Sequence, residues 1–426
     1  MAYRIAGIDV HKKMLAVVVA DVEVEGEYEF AGQRFGSHPE ELRRLSAWLS
    51  QQGVEEVVMA STAQYWQPVW GALERSWKPV CQRREGAGAM SGALHLAQAQ
   101  SNRGRKGRKK DFPDAERLLK RLVAQELILS FVPEAEQRLW RAVTRRKYQL
   151  TRNRVQLPNR LESLLEEAHS KLSSLVSDLL GVSAPALAEG ETNPLALAAL
   201  ADQRLRASEA QLTDALGACT ELHPVYRRLL PMALQELQFL AQPRDQLEQE
   251  IAALLRQHED AVQRLAEVPG LGVDSAQQII AEVGATAATF ASAQTLASWV
   301  GACPGDEESA EVSKSHRSPK GSRHMRRLLN QAANAAVRTK GSIFQIVYRR
   351  LVPRLGHHHT IGAIAHRLGR LIWLILHRGV RYEERGPAVS QRSLRQRTRK
   401  MIRELQKLGY RVERLSVVAN APAPAQ

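Results

Sequence analysis

YRIAGIDVHKKMLAVVVA, residues 3–20, holds two β-prone runs, 3–10 and 14–20, separated by His11, Lys12 and Lys13. Branched aliphatic side chains suit a pleated, half-buried surface, so the spacing predicts two short strands in close succession. Asp9 falls at the end of the first. A carboxylate there can be held rigidly toward a metal ion; a plain turn aspartate is the other reading. Outward from this pair, residues 27–35 predict the third strand of a meander. Residues 39–52 have a helical period through Leu42, Leu45, Trp48 and Leu49. Residues 55–60 predict a strand, 65–75 a helix carrying Trp66, Val69, Trp70 and Leu73, and 78–82 a further strand. Strands alternating with helices after an opening meander fit an α/β sheet of the ribonuclease-H-like kind.

A second acidic group follows at Asp111 and Asp114, at the start of a helix continuing through Leu118, Leu119 and Leu122. The i, i+3 spacing puts both carboxylates on one helical face. Acids also suit a helix start for capping and dipole reasons alone. Just before them runs a cationic segment with Arg103, Arg105, Lys106, Arg108 and Lys109. Such runs are usually solvated, but beside a candidate metal site this one reads as a phosphate contact.

The whole chain is basic. Its 426 residues carry 60 Lys and Arg against 45 Asp and Glu, a net +15, with an isoelectric point near 10.0. That length suggests two to three domains. The charge favours a polyanionic partner, most simply nucleic acid, with a membrane surface as the lesser alternative. Cys81, Cys219 and Cys303 show no metal-binding spacing, which predicts reduced thiols and a cytoplasmic location. The start lacks an apolar signal core, and no uncharged run is long enough to span a bilayer.

From residue 133 to 180 the pattern turns helical. Leu139, Val143, Leu150, Leu157, Leu161 and Leu164 recur at coiled-coil spacing, and Pro158 should kink or interrupt the helix. Its polar face, with Arg138, Arg141, Arg145, Arg146, Lys147, Arg152, Arg154 and Arg160, is either solvated or a groove for a nucleic-acid backbone. Residues 181–193 read as a linker, and a second apolar stripe runs through Leu247, Ile251, Leu254 and Val262. Two such helices would pair antiparallel or join a dimer interface. Val268-Pro269-Gly270-Leu271-Gly272 then resembles a helix-hairpin-helix turn, whose backbone N–H groups hold phosphate.

Residues 299–336 are dense in chemistry. Ser309 precedes Lys314, Arg317, Lys320, Arg323, Arg326 and Arg327, and a helix begins near Arg323. A serine hydroxyl needs activation to attack a phosphodiester, and nearby cations stabilise the developing anionic oxygens. A solvated basic loop ahead of a core helix is the bland alternative. His357, His358 and His359 predict a polar, nucleic-acid-facing turn rather than a loop metal site. Residues 361–377 read as an apolar, basic core helix. A basic helical tail, 393–408, should add RNA contacts, and 421–426 should be disordered.

Three blocks, GIDVHKKMLAVVV, VVMASTAQYWQPVW and GRKKDFPDAERLL, resemble the acidic blocks of the IS110 family of insertion-sequence transposases. VPGLGVDSAQQIIAEVG and WVGACPGDEESAEVSKSHRSPKGSRHMRRLLNQAA resemble that family's transposase-twenty domain. The resemblance covers about residues 1–385. It implies a RuvC-like DEDD domain over 1–130, a helical coiled-coil and linker region over 131–262, a mostly helical serine domain over 263–385 and a basic tail over 386–426. It implies Mg²⁺ at Asp9, Asp111 and Asp114, and Ser309 as nucleophile. The family's second acid would fall at position 60, where this chain has Ala60. Glu56 shares a face with that position but lies about 13 Å away, too far to replace it. Either the enzyme is naturally weakened, or a deliberate Glu→Ala change has stopped it.

The resemblance further implies RNA-guided recombination. A noncoding bridge RNA would pair with donor and target DNA, and a homodimer would assemble to a homotetramer. The setting would be bacterial cytoplasm, associated with the nucleoid when bound to DNA. Two other functions stay open: a metal-dependent Holliday-junction-type nuclease using the acids alone, and a non-catalytic nucleic-acid-binding assembly protein.

Overall fold

In the computed structural model, which describes residues 3–22, 28–61, 63–77, 93–99, 111–167, 193–199, 207–220, 223–303, 307–309, 312–315, 318–384 and 391–413, the opening stretch forms two paired strands. β1 (Arg4–Val10) and β2 (Met14–Asp21) run antiparallel with Ile8 opposite Val17. β3 (Ala31–Gly36) continues the meander on β2, starting four residues later than the pattern suggested. After α1 (Pro39–Gln51), β4 (Val54–Ala60) pairs parallel with β1. After α2 (Trp66–Ser76), β5 (Leu94–Ala97) pairs parallel with β4, and β6 (Leu129–Ser130) closes the edge antiparallel. The order β3-β2-β1-β4-β5-β6, with only β2 and β6 running opposite to the other four, is a ribonuclease-H-like sheet. β5 and β6 were not legible in the sequence. The strand expected at 78–82 lies outside the described residues.

Period-two alternation splits this sheet into two faces. Ala6, Ile8, Val10, Val57 and Met59 pack with α1 and α2. Ile5, Val58 and Ala60 face the other way, toward α3 (Asp111–Val123), whose Ala115, Leu118 and Leu119 cover them. Gly7 sets how closely that helix lies. A Cβ there would come within 2.3 Å of the Ala115 carbonyl oxygen, so only glycine lets α3 cross β1 at this height.

The chain divides into two compact units, residues 1–135 and 136–426. The second is built of helices around one core. α4 (Ala135–Glu167) runs through Pro158 as one helix, so of the expected kink or interruption the interruption does not occur. Its buried line is Trp140, Thr144, Lys147, Leu150, Leu157, Leu161 and Leu165, while Leu139 is exposed. α5 (Pro194–Ala199) and α6 (Glu209–Thr220) precede α7 (Pro224–Leu254). α4 and α7 are antiparallel: Lys147 lies beside Glu248 at one end and Tyr226 beside Glu167 at the other. Leu150, Leu157 and Leu240 cluster between them.

α8 (Glu259–Ala266) and α9 (Val273–Val283) form the expected helical hairpin. Its Gly270 has φ +87°, and a Cβ there would meet the Ala332 carbonyl oxygen at 2.3 Å. α10 (Ala293–Val300), α11 (Arg323–Ala336) and α12 (Ile343–Arg378) complete the core, through Val300, Leu328, Leu329, Leu368 and Ile372 among others. α12 is two helical runs meeting at Gly356 (φ 72°). His357, His358 and His359 open the second run and are all exposed, so they are helical rather than part of a turn. α13 (Gln391–Lys407) is the basic tail helix. The disorder expected at 421–426 falls outside the described residues.

Candidate active site

The sheet register and the α3 crossing gather the acids. Asp9 is the odd-numbered residue next to the end of β1, so it shares the α3 face with Ile5 and Gly7. Ile8 pairs with Met59, so Asp9 and Ala60 sit side by side where β1 and β4 end. α3 begins at Asp111, and its first turn carries Asp111 and Asp114. Because Ala115 is pressed against Gly7, that first turn overlies the same strand ends.

Asp9, His11 and Asp111 each offer one atom within 4.8 Å of the others. His11 Nε2 lies 3.1 Å from Asp9 Oδ2 and 3.3 Å from Asp111 Oδ1. Arg34 Nη2 approaches Asp111 at 3.8 Å, and Asp114 pairs with Arg117 at 2.8 Å. Burial pushes the Asp9 carboxyl above its ordinary range; the Asp114 and Asp111 charges push the same way, and His11 opposes them. Two carboxylates and an imidazole held this closely fit a divalent cation, the kind of metal this class of acidic site works with. The sequence reading missed His11. Its signal was a histidine two residues beyond a strand-end aspartate.

Ala60 is buried against Val58, Ala97 and Leu118. Glu56, on the same face, is turned to another partner: its Oε2 lies 3.1 Å from His95 Nε2.

In the second unit, β7 (Glu307–Ser309) and β8 (Val312–Ser315) form a hairpin, and Ser309 with Val312 is its end pair. The side chain of Ser309, and Arg317 altogether, lie outside what is described, as do Arg103, Arg105, Lys106, Arg108 and Lys109. Of the expected cations, Lys320 and Arg323 are exposed. Arg326 instead holds the carbonyls of Gly301 and Pro319, and Arg327 donates to Gln278 and lies over the Tyr148 ring. Those two brace α11.

The face of α4 also needs correction. Arg146 is exposed. Lys147 is buried between Asp274, at 2.8 Å, and Glu248, at 3.5 Å, and so is not on a solvent face. Arg145 spends Nε and Nη2 on Glu282. Burial of an apolar helix edge has drawn these two inward, each with a carboxylate partner.

Residues 6–170 match a DEDD-type IS110 transposase model, and residues 262–349 match the model described as transposase, IS116/IS110/IS902 family. A search of curated proteins finds no match. Among solved structures, Thermus thermophilus RuvC is similar at 13% identity and a TM-score of 0.21, over 30% of this chain and 99% of that one. That likeness is too weak to argue from, and the fold assignment rests on the strand order. No helix among the described residues is long and apolar enough to cross a membrane.

Proposed function

The chain belongs to the IS110 family of insertion-sequence transposases, and we propose that it is an RNA-guided DNA recombinase that cuts and rejoins DNA through a phosphoserine intermediate. The observation that carries this reading is the meeting of Asp9, His11 and Asp111 within 4.8 Å, where β1 and β4 end under the start of α3. When bound there, a divalent cation, Mg²⁺ on this reading, would neutralise a phosphate oxygen and orient the scissile phosphodiester.

The chain's own groups do the rest. Asp9, His11 and Asp111 would hold the cation, and Asp114 would add negative charge beside it. The Ser309 oxygen attacks phosphorus. A serine–phosphate bond forms as the bond to the deoxyribose oxygen breaks, the serine proton leaves, and the departing oxygen gains one. Lys320 and Arg323 offer charge to the phosphate oxygens. A hydroxyl of the second DNA then displaces Ser309, rejoining the strand with no free end. In this family the serine of one protomer meets the acids of another, which supports a dimer, and a tetramer when two DNAs are bridged. Guide pairing leaves the protein mostly backbone contacts, consistent with its basic charge. Ala60 favours a second reading for this chain, assembly on RNA and DNA with little catalysis.

The test uses matched donor and target DNA with the cognate RNA and Mg²⁺, in an Ala60→Glu background. A covalent protein–DNA adduct is expected, lost in Ser309→Ala while RNA binding persists. Cleavage without an adduct would point to a junction nuclease using the acids alone. An undiminished adduct in the mutant would move the nucleophile elsewhere, Ser313 or Ser315 being next.

A further inference from the structure

Residues 312–382 contain 15 Lys and Arg and no Asp or Glu. At the chain's own frequency of acids, about seven would be expected in that length. The other 45 cations are matched by all 45 acids, so this one stretch carries the whole net charge of +15. Concentrated cations repel one another, and a polyanion that displaces their counterions relieves that repulsion.

Some of these cations are used internally. Arg326 and Arg327 brace α11, and Arg381 pairs with Asp260 and Glu267. Arg367, Arg370 and Arg378 differ. All three are exposed, and none has a hydrogen-bond or ion-pair partner among the described residues. Their spacing of three and eight puts them on one face of α12, spanning about 16 Å at 1.5 Å per residue. That is about five base-pair rises along a B-form helix axis at 3.4 Å each.

They line a cleft of about 490 Å³ that also takes in Ser292 and Gln294, and no acid among the described residues borders it. Its wall is braced: Trp373 Nε1 donates to the Phe290 carbonyl at 2.8 Å, and the indole stacks on His377 at 4.4 Å.

We propose that this face of α12 is a second DNA-binding surface, where Arg367, Arg370 and Arg378 bind the phosphates along one edge of a DNA duplex. It rests on the nucleic-acid reading above but lies outside the acidic residues and the serine hairpin. Guanidinium groups suit phosphate because they offer paired N–H donors. Duplex DNA is the occupant, because the family this chain belongs to acts on DNA; structured RNA shares the phosphate chemistry and is the alternative the test separates.

The experiment measures binding of the full-length protein to a labelled arbitrary-sequence DNA duplex, and separately to an RNA hairpin of equal length, across a salt titration. The variants are the triple Arg367→Gln, Arg370→Gln, Arg378→Gln and the matching triple to Lys. A control triple, Arg43→Gln, Arg44→Gln, Arg75→Gln, removes the same charge from α1 and α2. In the Gln triple the slope of log affinity against log salt should fall by about 2 to 3, with a tenfold to hundredfold loss near physiological salt. The Lys triple should recover the slope, and the thermal midpoint should not move. Loss on the DNA duplex supports the proposal, and loss confined to the RNA hairpin overturns it. A wild-type slope on both probes, or a loss no larger than the control's, overturns the proposal. Cleavage is not read, so failure of the phosphoserine mechanism would leave this result standing.

Discussion

Asp9 in the first unit and Glu282 in the second are both carboxylates withdrawn from water, and their surroundings are opposite. Glu282 is 3% exposed and meets Arg145 through both oxygens, at 2.7 and 2.9 Å, with Arg141 at 3.6 Å. Arg141 also donates to the Ala281 and Glu282 carbonyls, closing the C-terminal end of α9 against α4. Burial lowers the Arg141 guanidinium to about 10, and Glu282 works against that shift. Asp9 has two further acids near it and one histidine. A buried carboxylate answered by the chain's own arginines is a structural clamp. One gathered with like charges is held at a cost in the metal-free protein, and a cation from outside relieves it.

The contrast can be broken by mutation at either end. Glu282→Ala should have the largest effect, because it strands the mostly buried Arg141. The expected loss is about 3 kcal/mol of stability, read by urea unfolding, with cation affinity at the acidic site unchanged. A loss within experimental error of zero would mean the clamp is incidental.

Asp9→Asn should do the reverse. Cleavage should fall by about 10²-fold or more, since the reacting phosphate loses its positioning. The metal-free protein should become more stable at neutral pH. The sign follows from the raised carboxyl: the folded state keeps a proton at pH values where the unfolded state, near 3.8, has lost it. Metal-free stability therefore falls as pH rises from about 4 through the folded value, and Asp9→Asn should flatten that slope. A variant with the wild-type slope in thermal melts would place the raised carboxyl elsewhere.

Ala60→Glu sharpens the comparison with the smallest effect. It would add a fourth acid to Asp9, Asp111 and Asp114, buried beside Val58 and Leu118. Mg²⁺-dependent cleavage should rise about tenfold, while the metal-free thermal midpoint falls from the added repulsion. Equal activity across a Mg²⁺ titration would remove position 60 from the site.

The acidic site was partly legible before folding. Asp9, Asp111 and Asp114 stood out because acids at a strand end and at a helix start are conspicuous in one dimension. His11 did not, since nothing local says that the chain after β1 bends back toward Asp111. Lys147 misled for a related reason. A lysine amid seven arginines reads as solvated, and only the approach of Asp274 and Glu248 draws it inside.

By itself the sequence determined what is short-range. Strand alternation and helical period follow from neighbours a few residues apart, where side-chain periodicity acts; the need for glycine at 7 and 270 follows instead from Ala115 and Ala332, far along the chain. The pairing of β1 with β4 was anticipated only through the ribonuclease-H-like fold class, and β5 and β6 not at all, because short strands take their identity from partners far away in the chain. Tertiary structure alone decided which charges are buried with a partner and which remain free. That choice turns on desolvation, and desolvation depends on every element packed around a group.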